Sequence, residues 1–259
     1  MQKILSLLEK QLREHGFSSF LCCSGEYRPY QRKHFEFLMA KQVDAIIEIG
    51  SSYGDANDLE VYREISEEVP LIILNGFVDV PTVYSVRCDE RSAICNLVEE
   101  LYKRNCRHIY YLEDNTTFCA MEKRNGFLEG INKFNLKATS KCMTIPIYSN
   151  EILDAQQKIE RLIKNGRRID AVLSADDLLA VGALQALNAA GLQIPVVGFN
   201  NSDFAFACTP RLTTVDNQRE FVCTNAINTL LSLLDGKDAA HHIIVSPKLI
   251  ERDTFRLQS

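Results

Sequence analysis

Residues 170–215 constrain the fold most, because two short apolar runs there each end in polar side chains. Ala171, Val172 and Leu173 form the first run, and residues 194–199 form the second. Neither alternates apolar with polar, which is the pattern of a parallel strand buried on both faces. Between them, residues 178–190 carry apolar side chains at helical spacing and stop at Gly191. The segment therefore reads as strand, helix, strand. Ser174 to Asp177 fall at the carboxyl end of the first strand, and Asn200 and Asn201 at that of the second. Open α/β sheets bind ligands at those ends.

The rest of the chain repeats the alternation. Helices are expected over residues 4–15, 30–41, 58–68, 89–105, 121–133, 152–165 and 218–234. Strands are expected over 18–23, 44–49, 71–75, 108–112, 142–147, 242–245 and 248–252, with another leading to Val215. Such a series implies parallel sheets covered by helices on both faces. A division near residues 113–118 gives two lobes. The first is expected to comprise 1–115 plus 217–241, the second 116–216 plus 242–259.

Charge and cysteine usage exclude several classes. The 259 residues carry a net charge of −5, so there is no basic footprint for binding a phosphate backbone. No apolar run approaches a membrane span, and the N-terminal residues mix charge into an amphipathic helix with no signal-peptide core. The nine cysteines are odd in number, fall mostly within expected helices or strands, and include no C-x-x-C pair. They are expected to be reduced, small apolar residues of a cytoplasmic protein. Glycine-rich phosphate loops and the G-x-S-x-G nucleophile word are absent. The pair Asp176-Asp177 does not by itself flank a scissile bond. No enzyme activity, cofactor or metal is expected.

The words Ala175-Asp176-Asp177, Ala180, Gly182-Ala183, Ala186-Leu187, Gly191, Ile194-Pro195, Val197 to Asn201 and Pro210 to Val215 resemble, in order and spacing, the effector-binding core of the lactose-repressor family of bacterial transcription regulators. The resemblance extends over nearly the whole chain. It implies a type I periplasmic-binding-protein-like fold, with two doubly wound parallel-sheet lobes joined by several strand crossings. A small polar effector, most naturally a carbohydrate, would close the cleft between the lobes and thereby control DNA binding. It also implies a homodimer formed through helices matching residues 4–15 and roughly 180–190. In the family a buried first strand, and a helix-turn-helix headpiece before it, precede the helix that opens this chain. The chain is therefore expected to be a fragment lacking both, with operator DNA reached only through the absent headpiece. A solute-binding protein of a sugar importer shares the fold and is the alternative.

The same resemblance marks the expected ligand contacts. Asp176 matches a family position usually held by Asn, and Asn200 one held by Asp, so the pair is exchanged. An ionised carboxylate only accepts hydrogen bonds, and Asp176 can take several from vicinal hydroxyls, or it can cap the helix that follows. Lys123 matches a ligand-contacting Arg in an R-x-x-G-F word, with Arg124 adjacent; both could instead be solvated helix charges. A lysine offers a point charge in place of a planar fork. Asn75 matches a first-lobe position at a strand end, and Ser51 and Tyr53 follow the preceding strand.

Overall fold

A computed structural model of the chain describes residues 2–23, 28–50, 59–114, 117–136, 143–147 and 152–257. The chain opens with α1 (Gln2–Glu14), α2 (Arg28–Ala40), β1 (Ile46–Ile49), α3 (Leu59–Glu68), β2 (Leu71–Leu74) and β3 (Val83–Cys88). It continues with α4 (Glu90–Lys103), β4 (Ile109–Glu113), α5 (Phe118–Lys133), β5 (Met143–Pro146), α6 (Ile152–Lys164), β6 (Ala171–Ser174), α7 (Asp177–Ala189) and β7 (Val196–Phe199). The last elements are α8 (Asp203–Ala207), β8 (Thr213–Asp216), α9 (Arg219–Leu234), β9 (His242–Val245) and β10 (Lys248–Ile250). They form two compact units, Met1–Cys88 with Gln218–Val245, and Asp89–Asn217 with Ser246–Ser259.

The first unit is built on a parallel sheet of order β1-β2-β3-β9. Period-two alternation sends Ile72, Leu74 and Val86 to one face, where they meet Ile4 and Leu8 of α1 and Val222, Ala226 and Ile227 of α9. Leu71, Ile73 and Val83 go to the other face and meet Phe35 of α2 and Tyr62 and Ile65 of α3. Both faces are covered, so β2 is buried at every position. The strand expected over residues 18–23 does not form, and Phe20 and Leu21 in it are exposed. An extended segment becomes a strand only by finding a ladder partner, and no described strand pairs with it. Conversely, β3 was not expected; its V-Y-S-V-R-C mixes polar residues into a strand that lies inside the sheet.

The second unit has six strands in the order β10-β8-β7-β6-β4-β5, parallel except for β10 against β8. Ile109 and Tyr111 of β4 and Ala171 and Leu173 of β6 face α4 and α5, packing on Ile94, Val98, Phe127 and Ile131. Tyr110, Leu112 and Val172 face the opposite layer, packing on Ile159 of α6 and Leu179, Ala183 and Leu187 of α7. Gly126 and Gly130 bring α5 close to α4; a Cβ at Gly126 would overlap the Arg91 carbonyl.

The boundary falls between Cys88 and Asp89, not at residues 115–116 as expected. Pairing and packing decide this: β4 lies between β5 and β6, and α4 packs on α5 and on that sheet, so both belong to the second unit. Likewise β9, expected in the second lobe, pairs with β3 in the first. Leu184 and Leu187 of α7 are core residues and supply no outer apolar surface. The apolar face beside α7 belongs instead to α8, whose Phe204 and Phe206 are 50% and 65% exposed.

Candidate functional site

The chain runs from β4 to β5 on one side and then to β6 on the other, so the direction of winding reverses between β4 and β6. The carboxyl ends flanking such a reversal are where an open α/β sheet forms its crevice. Glu113 and Asp114 end β4; Ser174, Ala175 and Asp176 end β6. Next along the sheet, Asn200 and Asn201 end β7, and Asp216 and Asn217 end β8.

Asp176 does two things there. As the N-cap of α7 its Oδ1 accepts from the Leu178 amide at 2.7 Å. Its Oδ2 accepts from Nδ2 of Asn200 at 2.7 Å. The exchanged pair is therefore in direct contact. Asn200 has φ +93°, a conformation tolerated by Asn better than by most residues, and its amide donates to the Val215 carbonyl. Its Oδ1 accepts from Nδ2 of Asn217 at 3.1 Å. Beside this row, Asn201 donates to Asp216 at 3.1 Å and accepts from Arg252 at 2.7 Å.

Asp177 lies beneath, fully buried. It accepts from the Thr214 hydroxyl and the Ser202 amide. Burial pushes its carboxyl up to about 6, although those two donors oppose the rise. Gly198 makes room for it, since a Cβ there would overlap the Asp177 carboxylate.

Lys123 is 4% exposed, so it is not a solvated helix charge. Its Nζ donates to the Ala175 carbonyl at 2.7 Å and lies 4.8 Å from the centre of the Phe199 ring. Burial alone would lower its pKa, but the carboxylates of Asp114 and Glu90 and, more weakly, Asp176 hold it above the ordinary lysine value. Arg124 is partly exposed and pairs with Glu113 at 3.3 Å. The expected second-lobe residues Lys123, Arg124, Asp176 and Asn200 thus gather at one end of one sheet. Asn75 ends β2 in the first unit with φ +52°, and its amide donates to the Val86 carbonyl. Ser51 and Tyr53 lie outside the described residues. Asn217 was not anticipated, though the strand-end rule that pointed to Asp176 and Asn200 applies equally to β8.

Residues 98–255 match the family model described as a periplasmic binding protein-like domain. An HTH-type transcriptional regulator of Lachnoclostridium phytofermentans is 34% identical over 253 residues, which are 95% of this chain and 75% of that protein. The chain belongs to the lactose-repressor family. Within that family it represents the periplasmic binding protein-like effector-binding domain of transcriptional regulators. The Lac repressor bound to ONPG superposes with a TM-score of 0.86 at 18% identity, over 98% of this chain and 77% of that one. A periplasmic binding protein/LacI transcriptional regulator of Alkaliphilus metalliredigens, solved with D-xylulofuranose, gives 0.81 at 21% identity over 100% of this chain and 94% of that one. At those identities the likeness concerns the fold. No helix among the described residues is long and apolar enough to cross a membrane.

Proposed function

We propose that this lactose-repressor-family domain senses a small carbohydrate at the carboxyl end of the second unit's sheet, with Asp176 and Asn200 as direct contacts. The observation that carries the reading is the row of Asp176, Asn200 and Asn217 across three adjacent strand ends beside the β4–β6 reversal. Side-chain carboxylate and amides in a row suit vicinal hydroxyls, which need acceptors and donors at close spacing. Occupancy would bias the domain between two arrangements, as any effector must do to control a distant DNA contact. The regulator would act in the cytoplasm, reaching operator DNA through a part of the protein outside this acidic domain.

A homodimer fits the same reading. Phe204 and Phe206 on α8 present two aromatic side chains to solvent, and aromatic residues are favoured at interface cores. Such a face would meet its own symmetry mate. Light scattering at micromolar concentration should give twice the chain mass, reduced to the monomer by F206D. A monomeric parent refutes the dimer.

Thermal shift against a carbohydrate panel tests the sensing role. A ligand at a hundred times its Kd should add about 2.7 kcal/mol of stability. A binder whose effect survives Asp176→Ala unchanged would remove Asp176 from the site.

A further inference from the structure

Asp176, Asn200 and Asn217 form a row whose direction is fixed by chemistry. An ionised carboxylate has no proton to give, so the 2.7 Å bond from Nδ2 of Asn200 to Asp176 can run only one way. That turns the Asn200 amide with its nitrogen toward Asp176 and its oxygen toward Asn217. The oxygen in turn requires a donor, which Nδ2 of Asn217 supplies at 3.1 Å. The Asn217 carbonyl oxygen is thereby left at the far end of the row. Asn217 is only 6% exposed, and that oxygen has no hydrogen-bond partner among the described residues. Buried acceptors are normally satisfied, so a donor is called for at this point.

At the opposite end, Asp176 keeps lone pairs beyond the two spent on Leu178 and Asn200. The cations nearby are already engaged: Lys123 with the Ala175 carbonyl, Arg124 with Glu113, and Arg252 with Asn201 and the Leu212 carbonyl. An anionic group approaching either end of the row would meet a carboxylate or an amide oxygen, the donors left in the row being the second N–H of Asn200 and of Asn217.

We propose that the Asp176 carboxylate sets the polarity of this row so that it offers acceptors at both ends, and that the row selects effectors by the hydrogens they donate. Neutral polyhydroxylated or amino-bearing sugars fit; carboxylated and phosphorylated ones are rejected. The ligand class rests on the carbohydrate reading above, whereas the polarity of the row does not. Asp176→Asn would reverse the row. Its Oδ1 can keep the cap, but its amide nitrogen then faces Asn200, so Asn200 and Asn217 must both turn over. The far end then presents a donor.

Two measurements on the full chain separate the claims. Neutron diffraction from deuterated crystals of the parent and D176N reads the amide orientations directly. Deuterons of Asn200 should point toward residue 176 in the parent and away from it in the variant. The same orientation in both, or a deuteron on Asp176, would overturn the row. Calorimetry with matched neutral, amino, uronic acid and phosphate forms of glucose, galactose and mannose tests the ligand class. The anionic member should bind the parent at least about tenfold more weakly than its neutral counterpart, with the preference narrowed in D176N. Equal binding of an anionic form by the parent would overturn the selection. Silence across the panel would remove the carbohydrate reading and the ligand class together, while diffraction still decides the row.

Discussion

Replacing Asp176 should separate its work in folding from its work in recognition. Two interactions are lost in Asp176→Ala. The first is the cap on Leu178, worth about 1 kcal/mol at a helix N-terminus. The second is the bond from Asn200, charge-assisted at 2.7 Å, which would contribute about 1.5–3 kcal/mol if fully buried. Asp176 is only partly buried, so water can replace part of the lost partner, and the lower end applies. The expected loss is therefore about 2–3 kcal/mol, or roughly 4–10 °C in Tm for a chain of this size. Asp176→Asn retains the cap and can rebuild the row in the opposite sense, so it should cost under about 1 kcal/mol, since Asn and Asp cap equally well. Urea unfolding without ligand, combined with amide exchange at Leu178, measures both. Exchange should accelerate in the alanine variant only. Equal losses in the two variants, or unchanged protection at Leu178 in Asp176→Ala, would refute the assignment of these two roles.

Two carboxylates, one buried and one partly buried, should give opposite pH dependences in different windows. Asp177 has its folded pKa raised to about 6, so between about pH 4 and 6 the folded state holds a proton that the unfolded state has lost. Stability should fall by about 2–3 kcal/mol as pH rises through that window, and Asp177→Asn should flatten the slope. Asp170 behaves inversely. Burial would raise its pKa, but the Arg107 amide, the His108 ring, the Arg168 guanidinium and the His108 amide together hold it well below the ordinary range. Its contribution is present above about pH 4 and disappears as pH falls below that value. Asp170→Ala should cost about 3 kcal/mol at pH 7, because three donors converge on one oxygen, and much less near pH 2. Equilibrium unfolding across pH 2–8 checks both.

The units that could be read from the sequence are those whose information is local. β6, α7 and β7 announce themselves by an apolar run, a helical period ended at Gly191, and a second run. The strand expected over residues 18–23 and the unexpected β3 mark the opposite case. F-L-C-C has the composition of a strand yet finds no described partner, while V-Y-S-V-R-C carries Ser85 and Arg87 and still lies between β2 and β9. Ser85 is accommodated because its hydroxyl meets Nδ1 of His242 at 3.0 Å across the β3–β9 pair. Whether a segment joins a sheet depends on neighbours more than a hundred and fifty residues away, which periodicity within a window cannot register. The misplaced lobe boundary has the same origin. α4 follows directly on β3 in sequence, and its packing against α5, together with the pairing of β4 with β5 and β6, assigns it to the second unit.

At the site, residue types were legible but their relation was not. Asp176 and Asn200 stood out separately, each at a strand end, and each had a local explanation as a cap or turn residue. Their contact spans 24 positions, and the next link, from Asn200 to Asn217, spans 17. Once the sheet order brings β6, β7 and β8 side by side, one ionised carboxylate suffices to orient both amides. Exchanging Asp and Asn between β6 and β7 thus conserves charge without conserving direction. With the carboxylate on β7, the amide on β6 would donate toward it, and the amide on β8 would donate from the other side. That carboxylate would be saturated from both flanks, leaving the amide oxygens outermost. With the carboxylate on β6, as here, its own outer lone pairs face away from the row, so the negative charge lies at an end instead of in the middle. A ligand reaching the β6 end meets a formal charge in this chain and a neutral carbonyl in the exchanged arrangement. Recognition should therefore differ between two proteins of identical site composition.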